Sequence, residues 1–319
     1  MIGVVYREDW LPKASAVKMF EGLAGEEVHY FASYGEIDEF PRKAKLEIIM
    51  NTLPMDMAVV KGLKNLKWIM SYSAGVDNYD LEALEELGIV LTTTSGLHKT
   101  NIAEQILGVM IMFSRNLLKA LYNQREKTWE NYPLDELMGK NLLIIGTGKI
   151  GREIARKAKA FDMNVYGVRA SDNPERIEHF DEVTSREHLH DVLPGKDFVV
   201  LVVPSTSDTR KMFGPEEFAR MDKKSVFLNI GRGDTVDEAA LYETLQQGRI
   251  RGAYSDVFET EPLPADSPFW ELTNFIITPH NGGPTPHYHA RALEIFKNNL
   301  GKYRSGEPLV NVVDYHKKY

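Results

Sequence analysis

Residues 141–152 read NLLIIGTGKIGR, and the order of features in this stretch decides the fold. Leu142, Leu143, Ile144 and Ile145 form a short apolar run with β-branched residues, long enough for a strand buried on both faces. Gly146-x-Gly148-x-x-Gly151 follows at once. Between a strand and a helix, the first glycine of such a motif makes the turn, the second admits a pyrophosphate and the third lets helix and strand pack closely. The helix expected over residues 150–161 then aims its N-terminal amides and its dipole at the phosphates. A tight turn before a helix also needs glycine for steric reasons alone. The dinucleotide reading therefore rests on the buried-strand pattern before the glycines and the Ala/Ile/Lys helix pattern after them. Its expected contacts are Gly146, Gly148, Lys149, Ile150 and Gly151.

At 319 residues the chain is too long for one ordinary core and suits two domains. Its 43% hydrophobic and 26% charged residues are those of a soluble globular protein, and neither value suggests disorder or a membrane protein. A formal net charge of -8 argues against nucleic acid as a partner and requires a local positive site for any anionic substrate. The absence of cysteine removes disulfides and thiolate catalysis; a reducing compartment is compatible with this but not required by it, and a cytoplasmic location is the expectation. MIGVVYREDW opens as a strand rather than a signal peptide. The longest apolar stretch, residues 102–113, is interrupted by Glu104, Gln105 and Gly108 and falls short of a membrane span.

Before the glycine motif, residues 1–91 alternate short apolar runs with helical patterns. Strands are expected at 2–6, 28–31, 46–50, 57–60, 68–72 and 89–91, with the clearer helices at 14–23 and 81–87. Short strands joined by helices pair in parallel, so this region predicts an α/β domain of its own. Residues 92–100, TTTSGLHKT, read as a hinge loop. Ile102, Ile106, Val109, Phe113 and Leu117 then recur every three or four residues, predicting one long amphipathic helix over 101–121. Further strands are expected at 142–145, 164–168, 198–203, 225–230, 252–255 and 275–278, with helices around 187–192, 215–221 and 238–246. This is the pattern of a doubly wound parallel sheet with ligands at the carboxyl ends of its strands. A last helix at 288–300 is expected to return to the first domain, which would make the active site an interdomain cleft.

In an NAD site an acidic residue about 20 positions beyond the glycines, at the end of the second strand, accepts hydrogen bonds from the ribose hydroxyls. Here that strand reads MNVYGVRAS and ends in Arg169, with the first acid, Asp172, beyond it. Arg169 can pair with a 2′-phosphate and Ser171 can add a hydrogen bond, which favours NADP(H), with NAD(H) as the alternative. A solvated surface arginine is the plain reading of the same position.

Three later strand ends carry side chains suited to chemistry. The strand at 225–230 runs into Gly231-Arg232-Gly233, and arginine's planar fork can hold a carboxylate and the adjacent carbonyl oxygen of a 2-oxo acid. YSDVFETEPLP brings Asp256 and Glu261 into a loop, and FIITPHNGG brings in His280 behind a proline. Histidine exchanges a proton near neutral pH, and a neighbouring carboxylate keeps it protonated for delivery to a carbonyl receiving hydride. Taken singly, Arg232 also reads as a turn arginine and His280 as the end of a strand. In the first domain Ser73, Ala74, Gly75 and Val76 follow a strand, where their amides can form a nest for a carboxylate or simply a tight turn. No cluster supports a protein-bound metal, since His287 and His289 lack nearby acidic partners.

With Arg232, Glu261 and His280 laid out behind the glycine motif, the sequence closely resembles the D-isomer-specific 2-hydroxyacid dehydrogenases. SAGVDNYD, the Ala103-Glu104 pair, GTGKIGR, LVVPSTSDTR, LNIGRGDTVDEAAL, SDVFETEPL and TPHNGG occur in the family's order across nearly the whole chain. The resemblance implies an α/β protein of two doubly wound parallel-sheet domains. A Rossmann cofactor domain, residues 99–283, would be inserted into a flavodoxin-like substrate domain, residues 1–98 and 284–319. It implies that Arg232 binds the substrate carboxylate and carbonyl, that His280 is the acid/base and that Glu261 orients it. It also implies that Gly75 and Val76 meet the substrate carboxylate beside Ala74, that Asp256 lies near the nicotinamide carboxamide, and that Pro204 and Thr206 lie along the cofactor. A homodimer joined through the cofactor domains is implied as well. Arg169, where NAD-using members commonly carry Asp, resembles the NADPH-dependent glyoxylate and hydroxypyruvate reductases. The expected reaction is reduction of a small anionic 2-oxo acid to the D-2-hydroxy acid. The alternatives are a bulkier oxo acid such as 2-ketoisocaproate, a phosphorylated hydroxy acid, or a nucleotide-binding scaffold with little catalysis. The lack of a long C-terminal extension is an expectation against the larger phosphoglycerate dehydrogenases, though not against the short ones.

Overall fold

The computed structural model describes residues 1–23, 25–76, 78–170 and 176–316. The chain divides into two compact units, Met1–Leu97 with Thr285–Tyr319, and His98–Pro284. The first crossing lies one residue earlier, and the second one residue later, than the boundaries expected above.

In the first unit β1 (Ile2–Val5), β2 (Val28–Phe31), β3 (Ile48–Asn51), β4 (Trp68–Ser71) and β5 (Val90–Thr92) form a parallel sheet of order β2-β1-β3-β4-β5. This is the flavodoxin-like order. Side chains alternate between two cores: Ile2, Val4, Ile48, Met50 and Trp68 pack with Phe20, Ala292 and Phe296, while Val5, Ile49 and Ile69 pack with Ile37, Val60 and Leu84. Burial on both faces is why these strands read as unbroken apolar runs. The helix Tyr288–Ser305 contributes Ala292 and Phe296 to the first core and stops at Gly306, whose left-handed backbone (φ 75°) ends it.

Residues 57–60, expected as a strand, lie instead in the helix Met57–Gly62. Asp56 caps it, its Oδ1 accepting from the Ala58 and Val59 N–H groups at 3.0 and 3.4 Å. A four-residue apolar run fits either element, and the capping aspartate separates them. A second helix, Tyr34–Glu39, is capped by Ser33 and was not anticipated.

In the second unit β6 (Asn141–Ile145), β7 (Asn164–Arg169), β8 (Glu182–Ser185), β9 (Phe198–Leu201), β10 (Val226–Asn229), β11 (Gly252–Ser255) and β12 (Phe275–Ile277) form a parallel sheet ordered β12-β11-β10-β9-β6-β7-β8. The strand order reverses between β6 and β9, and in doubly wound sheets ligands bind outside the carboxyl ends of the strands at that point. Leu142 and Ile144 enter one core and Leu143 and Ile145 the other, so β6 is buried on both faces.

The single helix expected over 101–121 is two, Lys99–Ser114 and Leu117–Arg125. Asn116 breaks it with a left-handed backbone (φ 51°), which asparagine tolerates better than most residues. Leu117 prolongs the apparent stripe in the sequence but is 40% exposed, so its spacing does not report burial.

Candidate active site

The glycine motif is shaped by close approach. Gly146 has φ 109°, and a Cβ there would lie 2.5 Å from the Val202 carbonyl oxygen at the end of β9; a Cβ on Gly151 would overlap the Gly146 carbonyl. Gly148 caps the helix Lys149–Lys159 and has nothing within 4 Å of its Cβ position, so this backbone is open to a ligand. Lys149 opens the helix, and its pKa is lowered by partial desolvation and by the charge of Lys99. Two ammonium groups near an open helix N-terminus favour an anion between them. Arg169 is the last residue of β7 and is half-buried, whereas Ser171 lies outside the described residues. Beyond β9, Thr209 closes the loop carrying Pro204 and Thr206: its Oγ1 donates to the Pro204 carbonyl at 2.6 Å and accepts from the Thr206 N–H at 2.8 Å. The Thr206/Thr209 spacing was the available signal for that closure.

The three later strand ends are brought together by backbone contact. A Cβ on Gly231 would sit 2.6 Å from the Val203 carbonyl oxygen, and one on Gly233 would overlap the Phe258 carbonyl carbon. Glycine on both sides of Arg232 thus lets its turn press against β9's exit and the loop leading to Glu261. Asn229, buried at the end of β10, holds that turn: its Oδ1 accepts from the Gly231 N–H at 3.1 Å and its Nδ2 donates to the Arg232 carbonyl at 3.2 Å. Reading Arg232 alone overlooked Asn229, two residues before Gly231. The Arg232 guanidinium donates to the Gly231 carbonyl at 2.9 Å.

His280 Nδ1 lies 2.8 Å from Glu261 Oε2, and Glu261 Oε1 accepts from the Phe258 N–H at 2.9 Å. Each carboxylate oxygen therefore has one defined partner, which fixes the plane of the carboxylate against the imidazole. The His280 and Glu261 side chains are 51% and 36% exposed. A pair this open contributes only about 0.2–1 kcal/mol to stability. Its consequence is orientation: Nδ1 is turned to the acid, leaving Nε2 for another partner. His280 also has a left-handed backbone, φ 53°, a conformation that costs a non-glycine residue about 1–3 kcal/mol and persists only where its surroundings impose it.

Asp256 is 2% exposed. Its carboxylate accepts from the N–H groups of Asn281 and Gly282, both at 2.8 Å, and from the Thr278 hydroxyl in a short hydrogen bond. The carboxamide contact implied for Asp256 thus meets a carboxylate whose oxygens already serve the loop carrying His280.

In the other unit, the turn after β4 is braced from within: Ser71 and Ser73 hydroxyls are 2.9 Å apart, Ser73 Oγ donates to the Gly75 carbonyl at 2.9 Å, and the Thr94 N–H donates to the Ser73 carbonyl at 3.1 Å. Among the described residues none accepts from the N–H of Ala74, Gly75 or Val76. His289 is engaged with the Tyr72 hydroxyl at 2.6 Å. Among the described residues no three metal-ligating side chains converge, and no helix is long and apolar enough to cross a membrane.

Glu238 adds a titration. Burial, opposed by the Glu259 N–H it accepts at 2.7 Å and reinforced by Glu259, Asp237 and Glu261, raises its pKa. A raised folded-state pKa means stability present below the unfolded value and lost as pH rises through the folded one. Glu238→Gln, which retains an acceptor for that N–H, is therefore expected to raise the urea midpoint at pH 7.5 and to leave it near wild type at pH 4. An equal shift at both would contradict the electrostatic cause.

The strand order, the glycine loop and the open helix N-terminus define a dinucleotide-binding protein of the doubly wound class. Residues 107–282 match the family model described as D-isomer specific 2-hydroxyacid dehydrogenase, NAD binding domain. The chain belongs to the D-isomer specific 2-hydroxyacid dehydrogenase family. It is 34% identical over 301 residues to a D-3-phosphoglycerate dehydrogenase of Methanocaldococcus jannaschii, covering 94% of this chain but only 57% of that one. It is 32% identical over 271 residues to a glyoxylate reductase of Korarchaeum cryptofilum, covering 82% of this chain and 80% of that one. Among solved structures, a D-isomer specific 2-hydroxyacid dehydrogenase of Xanthobacter autotrophicus Py2 in complex with NADPH and MES superposes with a TM-score of 0.85 at 26% identity, covering 100% of this chain and 99% of that one.

Proposed function

We propose that this protein is an NADPH-dependent reductase of a small 2-oxo acid, glyoxylate or hydroxypyruvate, giving the D-2-hydroxy acid. The observation that carries the proposal is the 2.8 Å His280–Glu261 pair, with the loop leading to Glu261 in backbone contact with the turn of Arg232. In this reading the unit of Met1–Leu97 and Thr285–Tyr319 holds the substrate and the unit of His98–Pro284 the cofactor. Bound NADPH supplies the hydride for the substrate carbonyl carbon. The amides of Ala74, Gly75 and Val76 and the fork of Arg232 hold the carboxylate, and Arg232 also polarises the carbonyl oxygen. His280 gives that oxygen a proton from Nε2 while ionised Glu261, at Nδ1, stabilises the imidazolium.

The chain's residues fit the cofactor. Open backbone at Gly148, the amides of Lys149 and Ile150, and the Lys149 and Lys99 ammonium groups suit a pyrophosphate. Arg169, with Ser171, suits a 2′-phosphate, and Pro204 and Thr206 flank the bound molecule. The relative solved with NADPH and the relative named glyoxylate reductase support these choices. Oxidation of NADPH and of NADH, followed against glyoxylate, hydroxypyruvate, pyruvate, phenylpyruvate, branched 2-oxo acids and a phosphorylated oxo acid, tests the whole reading. Highest kcat/KM with NADPH and glyoxylate or hydroxypyruvate is expected. Equal or better use of NADH would remove the role of Arg169, and a preference for a bulky or phosphorylated acid would remove the substrate assignment. A homodimer through the cofactor unit is part of the proposal: Leu121, Tyr122, Leu134 and Met138 are exposed there and Trp129 is fully so. A monomer in sedimentation equilibrium would refute it.

A further inference from the structure

We infer that His98 and Asn101, working against Asp256, are positioning residues that clamp the peptide after His280 and so hold the imidazole in its working orientation. The inference rests on the acid–base reading of His280 given above. His280 has a left-handed backbone and more than half of its side chain is exposed. An exposed pair with Glu261 does not impose such a conformation, and the restraint comes from the residues that follow. The His280 N–H donates to the Asp256 and Thr278 carbonyls at 2.9 and 3.1 Å. The next two N–H groups, of Asn281 and Gly282, donate to the two oxygens of the buried Asp256 carboxylate. On the other side the Asn101 amide donates to the carbonyls of Gly282 and Gly283 at 2.5 and 2.8 Å, and His98 Nδ1 donates to the Gly283 carbonyl at 2.7 Å. Gly282 is needed at this spacing, since a Cβ there would lie 2.9 Å from Asp256 Oδ2, whereas one on Gly283 would meet the His98 ring at an ordinary contact distance of 3.4 Å.

His98 is the N-cap residue of the helix Lys99–Ser114 and Asn101 lies three positions on, so both side chains leave the same face of its first turn. Donors on one side and a carboxylate on the other leave residues 281–283 a single orientation. His98 is also the first residue of its unit and Gly283 the last but one, so the same hydrogen bond joins the two ends of the unit within a few residues of His280. The first turn of that helix and the loop that carries the acid/base are therefore tied directly to each other.

The test uses the full chain. His98→Leu removes one donor, and Asn101→Val removes two hydrogen bonds. Each is expected to lower kcat for oxo acid reduction about ten- to a hundredfold, with the KM for the oxo acid and the NADPH Kd, read by fluorescence titration, changed by no more than about twofold. His98→Asn can put its amide nitrogen at the Nδ1 position and is expected to recover most of the loss, whereas His98→Gln, whose nitrogen reaches further out, is not. Wild-type kcat in folded His98→Leu and Asn101→Val would overturn the inference, as would equal activity of His98→Asn and His98→Gln, a comparison that stands even if the first two variants do not fold. His280→Ala measured alongside separates the two levels: turnover that survives it refutes the acid–base reading, and turnover that it abolishes but the clamp variants retain refutes the clamp alone.

Discussion

Replacing His280 by alanine is expected to lower kcat about 10²–10⁴-fold, the usual contribution of a positioned proton donor, while the NADPH Kd stays near that of the wild type. Glu261 Oε1 keeps its hydrogen bond from the Phe258 N–H, so the acidic loop retains its anchor. Because the pair is half-exposed, its loss should move the melting temperature little, and a large drop in activity without a drop in stability is the signature of chemistry. Alanine, like histidine, has to hold the left-handed backbone of position 280, so that cost is common to both. His280→Asn tolerates that backbone and is expected to be as slow as His280→Ala. Steady-state kinetics at saturating NADPH decide the matter: wild-type kcat/KM in either variant would end the assignment of the acid/base.

Arg232→Ala should show a different kinetic pattern. Two charge-assisted hydrogen bonds from the guanidinium to substrate, at about 1.5–3 kcal/mol each, correspond to a loss of roughly 10²–10⁴-fold in kcat/KM. The KM for the oxo acid should rise and kcat should fall together, because the same fork holds the carboxylate before reaction and polarises the carbonyl during it. The turn itself should survive, since Asn229 Nδ2 and Thr235 Oγ1 both donate to the backbone carbonyl of residue 232. Arg232→Lys keeps the charge but not the planar fork and should recover only part of the loss. Unchanged KM and kcat in Arg232→Ala would show that the guanidinium does not touch the substrate.

Some of this arrangement could be read along the chain. The apolar runs that became β1, β3, β4, β6, β9 and β10 were legible because strands covered on both faces need apolar residues at every position. Gly146 and Gly151 were legible because packing against backbone leaves no room for a Cβ. Residues 57–60 were misread because four apolar residues carry no period long enough to tell a strand from a helix turn, and the break at Asn116 was hidden because spacing continues through an exposed leucine. The roles of Asn229 and Thr209 are not legible along the chain because their hydrogen bonds serve backbone, which has no sequence signature beyond proximity.

Spacing and residue type were enough to set two parallel sheets, the glycine turn between β6 and its helix, and the short set of side chains able to bind an oxo acid or move a proton. These features are local, or depend on how much surface each residue buries, and both are written residue by residue. The division of labour among the acids was not. Asp256, Glu259 and Glu261 lie within six residues of one another, yet Asp256 turns inward to the peptide after His280, Glu259 stays exposed and Glu261 meets the imidazole. Such pairings depend on how separate loops close in space, as does the bond from His98 to Gly283 across 185 positions, and no pattern along the chain encodes that distance.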